Sequence, residues 1–208
     1  FFHWCRVAGC GRRGRILDVG CGSGGLLRRL QRYGFADLTG VDPYTSIEAE
    51  EPGFRVIRAE LTSLTDCYDL IMLHHVLEHL PDPRGALAAL RARLKPGGRV
   101  LVRIPVAESE TARLYGPHWF NLDPPRHLLV PSRRGMEKLA ERSGYRVLRT
   151  EFDGLETGYL NSEGYRRDIP WKGRPPDPPA LRRRYRRLAE ADNRRGRGDQ
   201  GVFWLAPA

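Results

Sequence analysis

The chain has 208 residues, of which 40% are hydrophobic, enough for one sizeable core and for a single domain spanning 1–208. No apolar run approaches the roughly 18 residues that cross a bilayer, and no secretory leader pattern opens the chain at Phe1. The formal net charge is +10, but only Lys95, Lys138 and Lys172 are lysines. An arginine preference spread over the whole chain reads as a solvated surface ahead of a phosphate footprint. Cys5, Cys10, Cys21 and Cys67 lack paired spacing, which argues against a zinc or disulfide framework and for a reducing, cytoplasmic setting.

Residues 1–14 start aromatic and continue as a glycine–arginine linker, which predicts a leading helix or arm. Ile16–Leu30 reads ILDVGCGSGGLLRRL: an apolar strand, a glycine cluster, then leucines spaced for one helix face. Strand, tight turn and helix open a βαβ unit whose turn can cradle an anionic or polar group. Asp37–Val41 is the second strand, and the proline after Asp42 leaves that acid at the strand's C-terminal edge. A carboxylate there can accept both hydroxyls of a ribose, so Asp42 points to a nucleoside ligand. Phe54–Ala59 is the third strand, followed by Glu60 and Leu61. Tyr68–Leu73 is apolar almost throughout, as a central parallel strand should be.

That strand runs into His74, His75, Glu78 and His79. The acid sits differently from a zincin's H-E-x-x-H, so no metal is expected. Asp82-Pro83 starts a helix carrying Leu87, Leu90 and Leu94, and Lys95–Gly98 breaks it before the fifth strand, Arg99–Ile104. The connection 105–131 is long enough to carry function. Ser132 caps a helix over Arg133–Arg142; Tyr145–Phe152 and Gln200–Ala206 are strands. Between those two strands, a proline-rich kink at Gly173–Pro179 precedes a helix with Leu181, Tyr185 and Leu188 on one face and arginines elsewhere.

Asp18, Gly20, Gly22 and Gly24 spell D-x-G-x-G-x-G, which closely resembles the first motif of the class I S-adenosylmethionine-dependent methyltransferases. YDLIMLHHVLEHLPDP and the L-K-P-G-G turn resemble later segments of the same family, in the right order and spacing from Ile16 to Ile104. The resemblance implies a three-layer α/β sandwich with a doubly wound, mostly parallel seven-stranded sheet and an antiparallel last strand. It implies S-adenosylmethionine as cofactor, held by Asp18, Gly20, Cys21, Gly22, Gly24, Asp42, Pro43, Glu60, Leu61 and His74. The family's W-x-x-x-D-x-P-R-H-L stretch matches Trp119, Asp123, Pro125, Arg126, His127 and Leu128. Trp119, Asn121, Asp123 and His127 are therefore expected to face a small-molecule acceptor. His127 and His75 are the expected proton-handling residues, because imidazole suits proton transfer near neutral pH, and His79 is expected to be structural.

Other readings stay open. Gly20, Gly22 and Gly25 also satisfy G-x-G-x-x-G, so an NAD-dependent oxidoreductase is one alternative. A cofactor-binding module without catalysis is another. The basic segment 160–198 allows a nucleic-acid acceptor, with arginines 182–187 pairing phosphates around Tyr185.

Overall fold

The computed structural model describes residues 2–173 and 175–208; Arg174, within the predicted proline-rich kink, lies outside them. Eight strands form one sheet in the order β3-β4-β2-β1-β5-β6-β8-β7. The parallel centre comprises β1 (Arg15–Val19), β2 (Asp37–Val41), β4 (Phe54–Ile57), β5 (Tyr68–His74) and β6 (Leu94–Pro105). The last strand, β8 (Gln200–Pro207), inserts antiparallel between β6 and β7 (Tyr145–Phe152). The expected mixed sheet is present with one strand more than the seven predicted. The addition is β3 (Ala49–Glu51), three residues pairing antiparallel with β4 at the edge. Its AEE sequence, with no apolar alternation, gave no strand signal.

Alternation along the central strands fills two cores, one on each sheet face. Leu17, Val19, Ile71, Leu73, Val100 and Val102 pack with Leu87 and Leu90 of α3 (Pro83–Arg91) and Met136 of α5 (Arg133–Arg142). Ile16, Leu70, Met72 and Leu101 pack on the other face with Leu27 and Leu30 of α2 (Gly25–Arg32) and Cys5 of α1 (Phe2–Val7). Caps set the helix starts: Asp82 accepts from the Gly85 N–H at 2.8 Å and Ser132 from the Gly135 N–H at 3.0 Å. The helix after Asp82 ends at Arg91, earlier than predicted, and Leu94 already pairs with Tyr68 in the sheet.

The long connection after β6 carries α4 (Glu110–Tyr115) and two 3-10 turns, at 116–118 and 120–122. Beyond β7, α6 (Glu156–Tyr165) and α7 (Pro179–Arg194) pack together over this connection. Tyr185 stacks on Tyr159 with ring centroids 5.2 Å apart, and a satellite core gathers Tyr115, Trp119, Tyr159 and Ala189. The predicted inward face of α7 is rotated: Ala189 is buried, whereas Leu188 is 39% exposed. Tyr185 keeps its inward place, stacked on Tyr159 of α6. No helix among the described residues is long and apolar enough to cross a membrane.

Candidate functional site

The parallel strands end on a common edge, where open α/β sheets bind ligands. At the first turn, Gly20 has φ +67°, and a Cβ there would stand 2.4 Å from Cγ2 of Val76. Only glycine lets the chain turn this close to the segment after β5. The turn is tied to the next strand by Asp42, whose two carboxylate oxygens accept the N–H groups of Gly22 (2.9 Å) and Tyr44 (2.8 Å). Asp18, one strand inward, is only 3% exposed. Burial, with a smaller contribution from the Asp42 charge, pushes its carboxyl up to about 8. Burial likewise raises the Cys21 thiol to about 12, so it is not a thiolate near neutral pH.

A cavity of about 520 Å³ opens above this turn, lined by residues at or beyond the C-terminal ends of β1, β2, β4 and β5. Its walls are mainly apolar (Val19, Val41, Ala59, Leu61, Val76, Leu80 and Pro81), with Asp42 and Glu60 as its acids. Flat apolar walls flanked by carboxylates suit a nucleoside: a ring can lie between aliphatic side chains while the acids accept its hydroxyl and amino protons. The residues present thus fit an adenosyl cofactor.

A second cavity, of about 370 Å³, adjoins the first, and His75 and His79 line both. It is far more polar, with Arg103, Asn121, Asp123, His127, Asp199 and Gln200 around Phe120 and Leu155. His75 has φ +56°, a strained conformation for a side-chain-bearing residue. Its Nδ1 lies 3.2 Å from Oε1 of the fully buried Glu78, and its Nε2 meets the Arg103 guanidinium. Arg103 is in turn held by Asp153 through Nε at 2.8 Å. Both ring nitrogens of His75 are therefore engaged.

His127 is arranged differently. Its Nδ1 donates to the Asn121 carbonyl at 2.8 Å, which leaves Nε2 as the proton acceptor, 3.8 Å from Oδ2 of Asp123. His79 donates through Nδ1 to the Arg126 carbonyl at 2.9 Å, and its ring lies 4.8 Å from that of His127. Glu78, His79 and His127 each bring one ligand atom within 4.8 Å of the others, close enough to hold a metal ion.

Comparison with known proteins is consistent with this geometry. The sequence pattern of a methyltransferase-domain family matches residues 5–150. The chain belongs to that methyltransferase family. An Aeromonas salmonicida protein named ubiquinone biosynthesis O-methyltransferase is 35% identical over 100 residues, covering 42% of this chain and 42% of that one. A protein of the same name from Cereibacter sphaeroides is 38% identical over 95 residues, covering 40% and 38%. The matched part thus spans about two fifths of these relatives' length. Among solved structures, an S-adenosylmethionine-dependent methyltransferase from Mesorhizobium loti superposes with TM-score 0.61 at 17% identity, over 98% of this chain and 96% of that one. Magnesium protoporphyrin IX methyltransferase from Synechocystis, solved with bound S-adenosylhomocysteine, gives TM-score 0.59 at 15% identity over 99% and 80%. Both share the methyltransferase fold.

Within this methyltransferase domain, Gly20, Asp42, Pro43, Glu60 and Leu61 of the expected cofactor set line the larger cavity. Asp18, Cys21, Gly22 and Gly24 support the turn without lining it. His74 does not line it either. Its ring stacks on Trp4 of α1, centroids 4.8 Å apart, and burial lowers it to about 3. Alternation explains this, since His74 continues the face of Leu70 and Met72. Of the expected acceptor set, Asn121, Asp123 and His127 line the smaller cavity, whereas Trp119 is packed into the satellite core. His79, expected to be structural, lines both cavities. Arg103, Asp199 and Gln200 were not expected at the site; no local motif marks them. Arg103 arrives on β6 beside His74 of β5, and the placement of β8 beside β6 brings Asp199 and Gln200 there. In the basic segment, Arg182 and Arg186 are drawn to Glu156 at 3.0 Å each.

Proposed function

We propose that this domain transfers the methyl group of S-adenosylmethionine to a small-molecule acceptor, with a hydroxyl oxygen as the favoured nucleophile. The observation that carries this reading is the pair of abutting cavities, one suited to a nucleoside and one polar, separated by His75 and His79. The relatives named O-methyltransferases support oxygen over nitrogen or carbon. A polar cavity of about 370 Å³ fits a small molecule better than a nucleic-acid strand.

Gly20, Asp42, Pro43, Glu60 and Leu61 would hold the cofactor, with Asp42 toward the ribose and Glu60 toward the adenine. The bound sulfonium supplies an electrophilic methyl group, so the protein's task is alignment and exclusion of water. Asn121, Asp123 and His127 orient the acceptor across the shared wall. His127 Nε2 would take the hydroxyl proton as the acceptor oxygen attacks the methyl carbon, whose bond to sulfur breaks with the electron pair left on the departing thioether. His75 keeps a positioning role, because Glu78 and Arg103 occupy its nitrogens.

Calorimetry with S-adenosylhomocysteine, followed by incubation with labelled methyl donor and a metabolite extract, tests the reading. Binding and a labelled product support it. Heat from NAD but none from S-adenosylhomocysteine would mark a dehydrogenase instead, and binding without any labelled product a non-catalytic module.

A further inference from the structure

Asp199 and Gln200, where the chain enters β8, line the acceptor-side cavity and are 4% and 7% exposed. Asp199 Oδ2 accepts from Asn121 Nδ2 at 3.0 Å. Gln200 Oε1 is buried with no hydrogen-bond partner among the described residues. A Cβ on Gly158 of α6 would stand 2.0 Å from Asp199 Oδ2, so glycine at that position lets the helix close over the carboxyl. Two adjacent acceptors are thus held in a cavity whose protein donors do not satisfy both. An unsatisfied buried acceptor carries an uncompensated desolvation cost and calls for an explanation. The neighbouring Arg103 does not supply one, because Asp153 and His75 take up its guanidinium.

We infer that Asp199 and Gln200 form a subsite reading a hydrogen-bond donor on the acceptor, a hydroxyl or amino group beside the atom that is methylated. The inference rests on the methyltransferase reading and narrows its substrate class. Acceptors that bear a second donor fit the subsite, and those whose neighbouring group is already alkylated do not. Phe120 and Leu155 provide the apolar walls between which a ring carrying such groups can lie. A lost hydrogen bond to a buried polar group discriminates strongly between otherwise similar ligands.

The test titrates the full chain, loaded with S-adenosylhomocysteine, with catechol and with its dimethyl ether, which keeps the ring but has no donor. Wild type should bind catechol at least tenfold tighter than the ether. Asp199→Asn and Gln200→Leu should each bring that ratio to within twofold while leaving S-adenosylhomocysteine affinity within twofold of wild type. Gln200→Leu guards against misfolding at the acid, since it replaces an amide with an apolar group of similar size. A ratio kept in both variants, or no preference in the loaded wild type, overturns the subsite. Failure of wild type to bind S-adenosylhomocysteine overturns the methyltransferase reading instead, so the two failures are distinguishable.

Discussion

His127 Nδ1 lies 2.8 Å from the main-chain oxygen of Asn121, whose side-chain amide donates to Asp199 at 3.0 Å. One residue therefore fixes the tautomer of the imidazole and the position of the neighbouring carboxyl. His127→Gln should lower kcat by about 10²–10⁴-fold, the usual range for a lost general base. S-adenosylhomocysteine affinity should stay within twofold, because His127 lines only the acceptor side. A kcat that survives the substitution would leave His127 as a brace of its loop.

Asp42 ties the glycine turn to the end of β2 through two N–H groups. Asp42→Ala releases both and removes an acid from the wall of the larger cavity, where the proposed cofactor lies. Each charge-assisted hydrogen bond contributes about 1.5–3 kcal/mol. Calorimetry should therefore show at least about a hundredfold loss of S-adenosylhomocysteine affinity, equivalent to about 2.7 kcal/mol. Asp42→Asn, which keeps one carbonyl oxygen, should fall between the variant and wild type.

Asp18 gives a pH dependence whose sign follows from its raised carboxyl. Unfolded, the group ionises near 3.8; folded, it holds its proton to about 8. The folded state binds more protons across that interval, so stability falls as pH rises through it. Melting curves of the ligand-free protein should show Tm declining from pH 5 to 8, with a shallower decline in Asp18→Asn. Some slope should remain, because burial raises Asp199 to about 7 with the same sign. A wild-type slope equal to that of Asp18→Asn would show that Asp18 is ionised in the folded protein.

Glu156 has the opposite sign. Its bonds to Arg186 and Arg182 hold the carboxyl down at about 2. The stabilisation is present above about 4.5 and is lost as pH falls toward 2. The arginine side chains are 45% and 56% exposed, so solvent screening limits the effect. Glu156→Gln should lower stability by up to about 1 kcal/mol at pH 7, and denaturant titrations should show the difference closing below pH 3. An equal difference at pH 7 and pH 2.5 would assign it to packing.

Local chemistry was legible where the signal is short-range. The glycine turn after β1, the acid beyond β2, the caps at Asp82 and Ser132 and the apolar central strands all follow from residues within one or two turns of each other. Even the misplaced His74 was readable, because period-two alternation from Leu70 and Met72 sends it toward α1.

By itself the sequence determined the seven longer strands, most of the helices and the glycine turn at the sheet edge, though not β3, α4 or α6, because side-chain period and turn chemistry act over a few residues. Only the tertiary structure decided what lines the second cavity. β8 had to insert beside β6 to bring Asp199 and Gln200 near His127, and α6 and α7 had to stack before Trp119 was drawn into a core. Those outcomes depend on contacts between residues far apart in the chain, such as Asn121 with Asp199, 78 positions on, and no local pattern carries that information.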